Sequence, residues 1–224
     1  MNVGTQISNA IFQKIHNEGY KFIAISILVT FVLLLISKFL GFIGLLITIW
    51  VYYFFRDPDR VSVDDQDYIV SPADGLITQI VETNGPKEFN LENKKFTRIS
   101  IFMSVFNCHV NRSPVLALIE DIFYIHGKFF NASLDKASEN NERNMIKFKT
   151  NYGDEIVVVQ IAGLIARRII CDCNKSDTVK QGERIGMIRF GSRVDIYFSN
   201  YTNLAKQNQT TVAGETLLAK KKII

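Results

Sequence analysis

Arg184-Ile185-Gly186-Met187-Ile188-Arg189-Phe190-Gly191-Ser192-Arg193-Val194-Asp195-Ile196-Tyr197-Phe198 reads as two short apolar runs, 184–190 and 194–198, parted by a glycine-serine pair. Short runs rich in β-branched and aromatic residues, bounded by turn formers, are strand signals. The same pattern recurs upstream at Ile69-Val70, Leu76–Glu82, Phe96–Met103, Val115–Tyr124, Met145–Lys149, Glu155–Ile161 and Ile169–Cys171. Ser71-Pro72-Ala73-Asp74-Gly75 and Val179-Lys180-Gln181-Gly182-Glu183 each set turn residues ahead of a strand. Strands this closely spaced predict a mainly β domain, compact and barrel-sandwich-like, with small helical insertions.

Ahead of that domain the pattern changes. Phe22–Phe55 is apolar throughout, with Lys38 its single charge. A crossing helix needs about 20 apolar residues, so the run is long for one untilted span and slightly short for two. A helical hairpin breaking within Ser37–Gly41, or one span with a re-entrant piece, is predicted. The length of the run and the lack of a small-residue cleavage pattern after it favour an anchor over a removed signal peptide. Lys14 and Lys21 before it, and Arg56 and Arg60 after it, place both ends on the cytoplasmic face. Arg56-Asp57-Pro58-Asp59-Arg60 closes the run with charge and a helix breaker. The expected division is therefore an N-terminal membrane-anchoring segment, 1–60, and a β domain, 61–224.

The net charge of +4, the pI near 8.9 and the tail Lys220-Lys221-Lys222 suit an anionic lipid surface. Dispersed charge without helix-turn-helix or zinc-finger spacing makes nucleic acid a poor partner. Three cysteines, Cys108, Cys171 and Cys173, form no even disulfide set and indicate a reducing compartment. Cys171-x-Cys173 is shorter than zinc-ligand spacing, and no metal is expected. Asn131–Asn144 is polar without a strand period, a surface connection or a flap over the site.

A glycine before a serine leaves a carbonyl unshielded by a Cβ and tolerates unusual backbone angles. That favours attack of the Ser192 hydroxyl on the Gly191 carbonyl, and it makes the pair a candidate self-cleavage site as well as a plain turn. Such a serine needs a base, and the base an orienting group. Of the three histidines, His16 precedes the apolar run and His126 adjoins Gly127. His109, at a strand end in Phe106-Asn107-Cys108-His109-Val110-Asn111-Arg112, is the one placed to face a site. Asp74 is the carboxylate to pair with it. Asp195, Arg112 and Arg193 are further candidates, an arginine being able to hold a carboxylate or phosphate through two parallel hydrogen bonds.

Together with Tyr53–Arg60, Gly127–Ala132 and Asn141-Glu142-Arg143, these motifs make the chain similar, over nearly its whole length, to short bacterial phosphatidylserine decarboxylases. The resemblance implies a proenzyme that cuts itself between Gly191 and Ser192 into a β subunit, 1–191, and an α subunit, 192–224, which remain together as a heterodimer. It implies that Asp74, His109 and Ser192 act as a charge relay in the cut. Ser192 would become a covalent pyruvoyl group that takes phosphatidylserine as a Schiff base and releases carbon dioxide and phosphatidylethanolamine. The expected setting is the bacterial inner membrane, with the catalytic domain in the cytoplasm. Longer members carry Leu-Gly-Ser-Thr where this chain has Phe190-Gly191-Ser192-Arg193, and two histidines three apart where it has His109 and Arg112. A non-enzymatic, membrane-tethered binding module of similar fold, with Gly191-Ser192 as a hairpin turn, is the alternative reading. A zinc peptidase would need more clustered histidines than are present.

Overall fold

The computed structural model describes residues 13–130, 140–163, 168–189 and 192–222. The chain divides into two units, Met1–Asp59 and Arg60–Ile224.

In the first unit the apolar run forms two helices, α1 (Gly19–Ile36) and α2 (Lys38–Phe54). Ser37 parts them in an extended conformation, and its Oγ accepts the Phe39 N–H at 3.3 Å. The break thus falls at the first residue of the predicted window, where a serine can both end one helix and cap the next. The helices pack back to back through small residues. A Cβ on Gly41 would stand 2.1 Å from Leu34 Cδ2, and one on Gly44 2.9 Å from Thr30 Oγ1. The Thr30 and Thr48 hydroxyls meet at 2.9 Å, satisfying polar groups inside an apolar pair. α1 is long and apolar enough to cross a bilayer, and α2 is a slightly shorter apolar helix. Leu35, Ile36 and Phe39 are among the many apolar side chains that the hairpin leaves exposed.

The second unit is mainly β. Its strands are β1 (Tyr68–Val70), β2 (Gly75–Asn84), β3 (Lys95–Met103), β4 (Val110–Arg112), β5 (Ala117–Ile125), β6 (Arg143–Thr150) and β7 (Glu155–Ala162). There follow β8 (Ile169–Cys171), β9 (Thr178–Val179), β10 (Arg184–Ile188), β11 (Ser192–Phe198), β12 (Tyr201–Asn203), β13 (Thr210–Thr211) and β14 (Leu217–Lys221). A curled eight-stranded sheet runs β13-β2-β3-β11-β7-β6-β5-β9, and two three-stranded sheets run β1-β14-β12 and β4-β10-β8. Alternate residues of the large sheet point into the main core, where Ile99, Ile101, Phe148, Val158, Val194 and Ile196 are fully buried. The opposite face carries a smaller cluster with Phe89, Leu91 and Phe96. A 3-10 turn, Lys87–Phe89, is the helical insertion next to it.

Most strand boundaries shift by one or two residues from expectation, and two of the shifts bear on the site. Arg143 and Asn144 open β6 instead of closing the polar connection, because Asn144 pairs with Gln160 of β7 and is buried there. Residues 131–139 of that connection lie outside the described residues. The last long strand starts at Ser192 rather than Val194. More consequential is the pairing. β10 pairs with β4 and β8, whereas β11 pairs with β3 and β7. β10 and β11 therefore belong to different sheets and are not partners of each other.

Candidate active site

Ser192 is the first residue of β11, held between Met103 of β3 and Ala162 of β7, and is fully buried. Strand alternation aims its side chain at the main core, beside Met103. There the hydroxyl donates to Met103 Sδ at 3.3 Å, a weak acceptor that leaves the oxygen lone pairs uncommitted. Gly191, whose carbonyl would be attacked, lies outside the described residues.

Asp74 enters the same end of the sheet from β2. Leu76 is paired with Phe102, and a Cβ on Gly75 would stand 2.3 Å from the Phe102 carbonyl oxygen, so only glycine lets the chain run in this close. The Asp74 carboxylate is nearly buried, with Oδ2 accepting from Arg60 Nη2 at 3.0 Å and Oδ1 accepting from the Ala213 N–H at 2.7 Å. Arg60, expected beside the membrane segment, is thus turned inward to a carboxylate.

His109 is fully buried on the turn between β3 and β4. That turn is tied by Asn107, whose Oδ1 accepts from both the Ser104 N–H and the Ser104 hydroxyl at 2.8 Å. The Asn107 carbonyl lies 2.9 Å from His109 Nδ1. A carbonyl only accepts, so Nδ1 carries the proton in the neutral ring and Nε2 is left as the basic nitrogen. The His109 carbonyl in turn accepts the Ile188 N–H at 3.3 Å, setting the histidine beside the strand end that leads to Ser192. By register, Asp74 precedes the β2 end paired with Phe102, Ser192 opens β11 opposite Met103, and His109 lies on the turn that follows β3. The side-chain partners described for the three are Arg60 and Ala213, Met103, and Asn107.

Sequence reasoning missed a chain of buried amides behind this end. Asn111 Nδ2 reaches Met103 Sδ at 3.7 Å, Gln160 Nε2 donates to Asn111 Oδ1 at 2.8 Å, and Asn144 Nδ2 donates to Gln160 Oε1 at 2.8 Å. Asn111, Gln160 and Asn144 are essentially unexposed. A signal existed: Gln160 interrupts Glu155-Ile156-Val157-Val158-Val159-Gln160-Ile161-Ala162 at a position whose parity faces the core.

Of the further candidates, Arg193 and Asp195 form a buried two-point ion pair, Nε to Oδ1 at 2.9 Å and Nη2 to Oδ2 at 3.0 Å. Arg112 donates from Nη1 to the Gly182 carbonyl at 2.8 Å. His126 is exposed, 3.9 Å from Glu142. Cys171 and Cys173 bring their sulfurs to 3.6 Å, and the hydrogen bond from Cys173 lowers the Cys171 thiol to about 6. Among the described residues no three His, Cys, Asp or Glu side chains cluster as a metal site would.

Comparison with known proteins gives a consistent result. The family model for phosphatidylserine decarboxylase matches residues 47–219. The chain is 63% identical to a phosphatidylserine decarboxylase proenzyme of Pelagibacter ubique, over 94% of this chain and 98% of that protein. Proenzymes of the same name from Ruegeria pomeroyi and Rickettsia typhi are 49% and 51% identical, over 96% and 94% of this chain and 98% and 92% of theirs.

Proposed function

This chain belongs to the phosphatidylserine decarboxylase family, and on that footing we propose that it matures by serinolysis at Gly191-Ser192 and then decarboxylates phosphatidylserine to phosphatidylethanolamine. The observation that carries the reading is the placement of Ser192. Its hydroxyl is buried, weakly held by Met103, and rigidly positioned by a strand paired on both sides.

In maturation, Nε2 of His109 takes the Ser192 proton as the hydroxyl oxygen attacks the Gly191 carbonyl. The peptide C–N bond breaks, leaving Gly191 as an ester on Ser192 and residue 192 with a free amine. Loss of the Cα proton then expels the Gly191 carboxylate, and hydrolysis of the resulting dehydroalanine releases ammonia. The Asn107 carbonyl keeps the ring in the required tautomer. Asp74, with its charge shared with Arg60, supports the imidazolium that forms.

The residue that fits a pyruvoyl group is Ser192, since a serine at a strand's first position becomes a chain terminus without loss of the ladder beyond it. Held there, the group supplies an electron sink for the pair left when carbon dioxide departs. The protein's share is orientation and a proton for the product carbon, with His109 as donor.

A lipid substrate suits the rim. Phe106 and Phe130 are 64% and 44% exposed. Phe106 follows β3, whose Met103 flanks Ser192, and Phe130 is tied through Asn141 Nδ2 to the carbonyl of Ala162, the other flank. Acyl chains cost about 0.8 kcal/mol per methylene to withdraw from a bilayer, so an enzyme that comes to the lipid avoids that cost. We place both ends of the α1–α2 hairpin, and with them the catalytic unit, on the cytoplasmic side of the inner membrane. After the cut the two subunits remain joined, since β11 is hydrogen-bonded on both edges to strands upstream of it.

Denaturing electrophoresis with intact-mass measurement tests the reading: two fragments parted after residue 191 are expected, and none from Ser192→Ala. A single unbroken chain that still converts the lipid would refute it. His109→Ala is expected to slow fragment formation by roughly 100-fold or more.

A further inference from the structure

Cys171 ends β8, the edge strand of the three-stranded sheet β4-β10-β8, and Cys173 follows two residues on. Residues two apart in an extended chain share a face. The chain stays against β10 past the end of the strand, because the Asp172 N–H donates to the Ile185 carbonyl at 3.1 Å. Gly186 of β10, paired with Cys171, permits this approach: its φ is +148°, and a Cβ there would stand 2.0 Å from the Ile170 carbonyl oxygen. The two sulfurs, both thiols, lie 3.6 Å apart. Cys171 is half-buried, whereas Cys173 packs into the main core.

The two sulfurs are not equivalent. As a thiol, Cys171 donates to the Cys173 carbonyl at 3.4 Å. As a thiolate it accepts from the Cys173 thiol, and this bond, aided by a Cys173 backbone bond and the Asn144 side chain, outweighs burial and the charge of Asp172. A thiolate only accepts, so Asn144 meets it with its amide nitrogen. Asn144 is also the outer end of the amide chain that runs through Gln160 and Asn111 to Met103. Cys173 is pushed the other way by its bond to Cys171 and by burial, and its Sγ lies 3.7 Å from the Ile185 carbonyl. The more exposed sulfur is therefore the nucleophile, and the covered one keeps its proton.

We propose that Cys171 and Cys173 form a site of reversible oxidation by small-molecule disulfides, with Cys171 as the attacking sulfur and Cys173 as the resolving one. The Cys171 thiolate attacks one sulfur of the disulfide, forming a mixed disulfide and expelling the other half as a thiolate. Cys173 Sγ then attacks Cys171 Sγ, the bond to the small molecule breaks, and the second leaving thiolate takes up the Cys173 proton. Two electrons pass from the pair to the small molecule. The sulfurs must close from 3.6 Å to about 2.05 Å. A ring closed over a single intervening residue departs from relaxed disulfide geometry, so the bond is readily reduced again. That suits a sensing pair in a reducing compartment rather than a structural link.

The test equilibrates the full-length protein, in a neutral maltoside detergent, with glutathione buffers of rising disulfide content, then quenches with acid, alkylates and digests with trypsin. Cleavage after Arg168 and Lys175 releases a peptide, 169–175, that holds both cysteines. At the oxidising end that peptide is expected unalkylated and lighter by two hydrogens, and after return to reduced glutathione it is expected doubly alkylated. Cys173→Ser should instead retain glutathione on Cys171, and Cys171→Ser should retain roughly tenfold less on Cys173. Two alkylated thiols throughout the series, or equal glutathione loads on the two variants, would overturn the proposal. The first readout uses the parent protein, so it holds whether or not either variant folds. Both cysteines lie upstream of Gly191 and are read on cut and uncut chains alike, which keeps the outcome separate from that of the serinolysis reading.

Discussion

The two faces of β11 have little in common. On one, Ser192, Val194, Ile196 and Phe198 point into an apolar core whose side chains come from β3, β7 and β6. On the other, Arg193, Asp195 and Tyr197 point the opposite way, and the first two form an ion pair with less than 3% exposure. A central strand can hold both because its side chains alternate while its backbone is satisfied by neighbours on each edge. The apolar face secures position by close packing. The charged face secures it by a penalty, since either ion without its partner would be buried and uncompensated. Both act on the strand that Ser192 opens, whose main chain the proposed cut requires to stay fixed.

The sharpest attack on this contrast is Asp195→Leu, which strands the Arg193 guanidinium and should cost about 3–5 kcal/mol in denaturant unfolding. The double change Arg193→Met/Asp195→Leu should recover most of that loss, and a double as unstable as the single would show that the pair acts by more than mutual neutralisation. On the apolar face, Ile196→Ala should cost about 2–5 kcal/mol through lost burial and a residual cavity, with no rescue from a charge change elsewhere. Where the apolar face turns polar beside Ser192, Gln160→Leu removes the bonds made to Asn111 Oδ1 and Asn144 Nδ2 and should cost about 1–3 kcal/mol. Slower fragment formation in that variant at temperatures where it remains folded would tie the amides to positioning of Ser192.

The smallest effect is expected farther along the charged face. Burial would raise the Glu155 carboxyl, but hydrogen bonds from Lys147 and Lys94 outweigh it and lower it below the ordinary carboxylate value. Burial likewise acts against the charged form of Lys147, and its bonds to Glu155 and Glu120 raise it. The carboxyl's contribution is complete above its unfolded value and is lost as pH falls through the folded one. The ammonium's contribution is complete below its unfolded value and is lost as pH rises through the folded one. Glu155→Gln should therefore flatten the acid limb of a stability-versus-pH curve slightly, by less than Asp195→Leu changes stability at neutral pH, because this pair is in part screened by solvent.

Much of the architecture was legible in the chain. β-branched runs such as Ile156-Val157-Val158-Val159 marked the long strands, and Ser37 lay in the window predicted for the break of the apolar run. β4, β9, β12 and β13 were not legible, because two or three residues show no period and these lack the β-branched runs that marked β1 and β8; β14 was missed as well, because its lysines read as a basic tail. The place of Arg60 beside Asp74 was not legible either, because it depends on how the chain folds back.

Local order alone determined that this protein joins an apolar helical pair to a β domain, and that a glycine-serine peptide stands ahead of a strand. Those facts need only neighbouring residues: hydrophobic length, alternation and turn chemistry. Tertiary structure alone decided that Ser192 is held between β3 and β7, that a main-chain carbonyl sets the imidazole tautomer, and that Arg112 pairs with Arg184 across a ladder. Each of these rests on pairings between segments far apart in the chain, and burial of one face against another, not the residues in between, selects which strands meet.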